Sequence, residues 1–459
     1  AANTTAANNT AVGNAALAAN TTGTVNVAVG AQALDANTTG SYNTAVGQGS
    51  LTASTTGTQN TAIGYQSGAG ITGASNFNVA IGDETMITSG VKSYNTAVGS
   101  DALRACTTGG SNVAIGYTAL TANTDAGNNT AVGNFAMGAN TTGDRNVAMG
   151  ANALDANTTA DGNTGIGYRA LSANTTAATN TAVGFDALFA NTTGGSNVAV
   201  GASALDANTT ASNNTAVGTS ALGANTTGDN NVAVGHDALD ANTTGSGNVA
   251  VGQDAGGAIT TGANNICIGI DCGDTLTTGD TNILIGNTAR PSASGGANQI
   301  SMGVVVTCVG DNNFTFGNQG TDSNIAFGAT SITAPSDIRL KEDIQDEEVG
   351  LNFINDLRPV TFLWKKEKDI PSHFDSYKEG SEERTMNGKH NHGFIAQEVK
   401  ATIDAHNLKD GFEMWQENES DGRQRVAPAA LMSVMVKAVQ ELSTQVDELK
   451  QELSALKGE

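Results

Sequence analysis

The chain has 459 residues, of which 4% are aromatic and 14% charged while 57 are Gly; over most of its length this excludes an ordinary globular core with large side chains. Its net charge is −23, with neither half basic, which excludes nucleic acid as a partner, because such affinity rests on Lys and Arg displacing counterions from phosphates. No run approaches the roughly 20 apolar residues of a membrane span, and no secretory leader with a basic start is present. The chain opens at Ala1 in mid-repeat without a Met, as a piece of a longer protein would. Cys106, Cys267, Cys272 and Cys308 lack the spacing of a zinc site or a disulfide framework and read as small buried thiols. No cofactor is called for.

From Asn9 a pentad Asn-x-x-x-Gly recurs seventeen times to Asn282, with a period of 17 residues and a single one-residue slip between Asn60 and Asn78. In the unit 26–42, NVAVGAQALDANTTGSY, alternation puts Val27 and Val29 on one face of a short strand and Ala28 on the other. Leu34 supplies a further inward apolar position. Gly30 and Gly40 sit where the chain turns sharply, and Asn37 is placed to bond its own backbone. One unit cannot bury its apolar face alone, so identical units must stack into a solenoid with each strand pairing the next. At about 4.8 Å per coil, 17 coils predict a rod of roughly 80 Å. The many Asn-x-Thr triplets are explained by turn chemistry without glycosylation.

The repeat resembles the heads of trimeric autotransporter adhesins, which implies a left-handed parallel β-roll in each chain of a trimer over residues 1–290. A triple-stranded β-helix shared among three chains is the alternative winding. Residues 291–335 keep fragments of the pattern, NFTFG at 313–317 and NIAFG at 324–328. Their bulkier Phe314, Phe316 and Phe327 predict a neck or plug closing the solenoid.

At Pro335 the composition changes to Lys, Glu, Trp and Met with amphipathic helical patterning. The last helix, within 431–459, carries Met432, Met435, Val439, Leu442, Val446, Leu449, Leu453 and Leu456 in alternating steps of three and four. That is a heptad seam, flanked by Glu441, Lys450, Glu452 and Lys457, and it predicts a parallel coiled coil.

SDIRLKEDI at 336–344, LRPVTFLW at 357–364, GFIAQEV at 393–399 and AVQEL at 438–442 together resemble, in order, the peptidase S74 family of intramolecular chaperones found on phage tailspikes and fibres. The resemblance implies trimerisation and autoproteolysis between Pro335 and Ser336, with Ser336 as nucleophile and Lys341 as its base. Such a pair is chemically reasonable once burial lowers the lysine pKa. Pro335 restricts the backbone on the scissile side. Asp337 and Arg339 are read as shaping the loop, and His392 as a supporting residue next to Gly393. His390 and His392 form an H-x-H pair with no surrounding carboxylates, so no metal is expected there.

The resulting expectation is a mainly β, trimeric parallel β-solenoid, followed by an α+β chaperone domain at 336–430 and a coiled coil at 431–459. Its function would be that of a phage tail fibre of the virion, binding a host-cell receptor and joined at its N-terminal side to other tail proteins. A bacterial trimeric surface adhesin is the alternative, although such adhesins finish in a membrane β-barrel rather than a coiled coil. A glycan-degrading enzyme would need paired carboxylates in a cleft, whereas Asp155, Asp206 and Asp240 fall at repeat turns.

Overall fold

Seventeen residues make too short a perimeter to enclose two layers of large side chains, so something small must face inward. In the computed structural model it is the middle residue of each strand: Ala28, Ala45 and Ala62 are fully buried, together with Ala33, Leu34 and Leu51 from the following turns. The flanking β-branched residues point the other way, Val27 being 36% exposed. The structure describes all residues except 1–4, 320, 330, 331, 334, 335, 337, 375, 387, 409–411, 413, 418–421 and 459. It divides into two compact units, 1–335 and 336–459.

In the first unit, three-residue strands from β1 (Thr10–Val12) to β17 (Ile283–Ile285) stack in chain order as parallel neighbours. At the sequence slip, Thr61 of one strand still faces Val79 of the next, so the turn absorbs the additional residue and the ladder keeps its register. Each coil closes around its own core, which excludes the β-helix woven from three chains. After β18 (Ile300–Val304), β19 (Asn313–Asn318) pairs parallel and β20 (Ser323–Ala326) folds back antiparallel on it. The expected plug is therefore a hairpin. Phe314 and Phe316 continue the outward face, with ring centroids 5.1 Å apart, and it is Thr315 that is buried.

Buried asparagines satisfy the backbone where the coil turns. Asn26 Nδ2 donates to the Gly40 carbonyl at 2.9 Å, and Asn26 Oδ1 accepts the N–H of Asn43, one coil on, at 2.9 Å. A second ladder runs through the turns, where Asn37 donates to Asn20 Oδ1 and to the Gly40 carbonyl. Gly30 is held at φ +134°, and a Cβ there would stand 2.5 Å from the Gly47 carbonyl oxygen. Gly40 is needed for a different reason. Its φ is ordinary, but a Cβ would stand 2.1 Å from the Gly57 oxygen. Leu34 itself adopts φ +51°, a conformation unfavourable for a side-chain-bearing residue, which stacking offsets by burying its isobutyl group.

The second unit packs α1 (Leu351–Asp356), α2 (Ala396–Ala405) and the start of α3 (Leu431–Lys457) around Phe353, Leu357, Val399, Ile403, Met414, Leu431 and Val434. Two small antiparallel pairs complete it, β21 (Val360–Phe362) with β22 (Asn391–Gly393) and β23 (Trp415–Glu417) with β24 (Gln424–Val426). Helix α3 ends on Gly458 in the left-handed region, φ +71°, the usual glycine stop.

Candidate functional site

Ser336 opens the second unit, and a single 3-10 turn over Ile338–Leu340 follows it, closed by the Lys341 N–H on the Ile338 carbonyl at 3.2 Å. That turn brings the side chain of Lys341 back over Ser336: Nζ donates to Oγ at 2.8 Å. The spacing Ser-x-x-x-x-Lys thus becomes a direct contact because one tight turn lies between the two residues. Both are exposed. Ile338, between the two residues, and Ile344, just after them, are 72% and 64% exposed. Pro335 and Asp337 lie outside the described residues, and Arg339 is exposed on the turn.

His392 belongs to the same unit. It occupies the middle of β22, opposite Thr361, exposed, and among the described hydrogen bonds none joins it to Ser336 or Lys341. His390 is exposed just before the strand.

Two of the segments that resemble the S74 family, 357–364 and 393–399, are joined in space. Arg358 reaches Glu398 through both guanidinium branches, Nε at 3.0 Å and Nη2 closer still, tying the 357–364 segment to α2. The Arg358 guanidinium holds the Glu398 carboxyl below the usual carboxylate range. Strand β21 pairs with β22, and Ala438 is buried. Glu441, expected to flank the coiled-coil seam, has a second role: its carboxylate accepts the N–H of Leu351 at the start of α1, at 2.8 Å. The seam residues themselves are exposed along the whole of α3, from Met432 to Leu456.

In the solenoid all four cysteines are buried free thiols. Cys106 takes an asparagine's place in the turn ladder, its Sγ on the Gly109 carbonyl at 3.4 Å. Burial pushes its pKa up to about 11, and that of Cys308 likewise, so neither is a nucleophile near neutral pH. His236, Asp237 and Asp254 bring ligand-type atoms within 4.8 Å of one another on the surface, a grouping that sequence reading passed over because it spans two coils. His236 Nδ1 lies 2.9 Å from Asp237, and this pairing accounts for it. Among the described residues no helix is long and apolar enough to cross a membrane.

Residues 336–408 match the Peptidase S74 family, chaperone of endosialidase. The match begins at Ser336, the first residue of the second compact unit. No curated protein and no solved structure matches the chain. The S74 match and the long solenoid fit a protein of the tail-fibre or endosialidase type, and the family is one of self-cleaving serine peptidases. The head repeats of autotransporter adhesins are not among the matches.

Proposed function

We propose, from the S74 chaperone domain that begins at Ser336, that this chain is part of a trimeric phage tail fibre whose C-terminal unit drives assembly and then cuts itself free. In the virion the solenoid would extend toward or engage a host-cell receptor, with other tail proteins on its N-terminal side. The observation that carries the reading is the 2.8 Å contact between Lys341 Nζ and Ser336 Oγ at the first residues of the matched domain.

In the reaction, Lys341 in its neutral form takes the hydroxyl proton as Ser336 Oγ attacks the Pro335 carbonyl carbon. The C–N bond to Ser336 breaks, the proton passes to the departing amine, and an ester joins Pro335 to Oγ. Water then hydrolyses the ester, leaving a carboxylate on Pro335 and a free amine and hydroxyl on Ser336. Proton removal is the step that needs help, because a serine hydroxyl is a poor nucleophile and an exposed lysine is already protonated. Covering the pair by a second copy would desolvate Lys341 and switch the reaction on, so cleavage would report assembly.

Two uncovered surfaces support self-association. The third residue of every strand from β1 to β17 is Val, Ile or Met and faces outward; in five successive coils, Val200 to Ile268, it is 37–39% exposed. An apolar stripe of that length is unusual on a monomer, and its repeat is matched by another copy of the same solenoid. The open seam of α3 is the second.

The test is denaturing mass spectrometry of the intact chain beside Ser336→Ala and Lys341→Met. Fragments 1–335 and 336–459 are expected from the intact chain alone. Full-length chains in all three would leave a trimerisation domain without proteolysis.

A further inference from the structure

Glu441 sits on the helix that carries the open seam, but its carboxylate is spent inside its own subunit. Oε2 accepts the Leu351 N–H at 2.8 Å from 90 residues away in sequence, a charge-assisted bond of the stronger kind. Gly350 lies so close that a Cβ there would stand 2.4 Å from the same oxygen. Lys437, one turn earlier on α3, is 4.0 Å from the other oxygen. Between Lys341 and Leu351 there is no helix or strand, and this bond ties the end of that stretch to the helix that carries the seam.

The same segment runs beside α3 before it is fastened. Asp346 and Glu347 border an open groove of about 820 Å³ whose other side is Met432, Ser433, Val436 and Gln440. Met432 belongs to the seam and is 69% exposed. A second copy's α3 seated on the seam would therefore meet the groove, and with it the segment that leads back to Lys341.

We propose that Glu441 is a positioning residue for self-cleavage. By holding Leu351 it keeps residues 342–350 along α3, so that docking of a second copy's helix on the seam covers the Ser336–Lys341 pair rather than leaving it loose in solvent. The inference rests on the self-cleavage reading above. Releasing the anchor frees a stretch without regular structure, and a misplaced reacting pair loses rate steeply even when every group is present.

The experiment uses the full chain as wild type, Glu441→Ala and Glu441→Gln. Cleavage is followed by denaturing mass spectrometry across pH and association by native mass spectrometry. Amide exchange of 342–351 is measured in the uncleavable Ser336→Ala background. Glu441→Ala is expected to associate like wild type, to cleave about tenfold or more slowly, to shift its pH profile upward because Lys341 is less covered, and to exchange faster over 342–351. Glu441→Gln keeps an acceptor oxygen and should retain most of the rate. Wild-type rate and exchange in Glu441→Ala would overturn the proposal, and so would loss of association, which would make Glu441 part of the coil's assembly. If the wild type itself does not cleave, the self-cleavage reading fails, while unchanged exchange would still separately refute the anchoring role.

Discussion

A buried amide is costly unless both its ends are used, and the turn ladder of asparagines shows this where it is interrupted. Ser54 stands one repeat after Asn37, in the place of an asparagine. There Asn37 Oδ1 and Ser54 Oγ are both buried without a partner, and so is Asn242 Oδ1, which Ile259 follows one coil on. Serine is too short to span the gap between coils. Ser54→Asn is expected to supply the missing donor and stabilise the chain by about 1 kcal/mol, read as a higher urea midpoint; an unchanged or lower midpoint would count against the ladder as a stabilising element. The turn role of Asn was legible from its place before Thr-Thr-Gly. Its bonding to the asparagine of the neighbouring coil was not, because a one-dimensional pattern says nothing of which groups come within 3 Å across a stack.

At the scale of the element, alternation in NVAVG divides the strand into two faces without saying which is the core. The coil decides. A 17-residue perimeter leaves room inside for Ala28 and Leu34, and the larger Val27 and Val29 are turned out. Replacing Val200 and Val217, both 38% exposed, by Asp should therefore leave the far-ultraviolet circular dichroism of the solenoid unchanged and weaken self-association, measured by sedimentation velocity. Loss of the fold itself would show that these side chains support the coil rather than a partner. Helix α3 divides in the same way. Leu431, Val434 and Ala438 pack on its own unit while Met435, Val439 and Leu442 stay open, and the heptad pattern identified the open side correctly. The bond from Glu441 to Leu351 was not legible, because the two residues are 90 positions apart in the chain.

For the molecule as a whole, long-range parallel stacking is slow and open to register errors, and the near-identical coils here offer many wrong registers. A chain ending at residue 335 is accordingly expected to give a smaller soluble, associated fraction than the full chain when both are refolded by dilution and passed through size exclusion; equal fractions would remove the templating role of 336–459. The period of 17, the break in composition near Pro335, the heptad seam and the Ser336–Lys341 spacing were all determined by the sequence, because each is a local repeat or a short-range pattern. Tertiary structure alone decided that alanine rather than valine lines the solenoid, that Thr315 rather than Phe314 or Phe316 is buried, that His392 stands in the middle of a strand, and that Glu441 reaches back to α1. Those outcomes depend on how much volume a closed coil can hold and on contacts between residues far apart in the chain, and neither quantity is written in any local pattern.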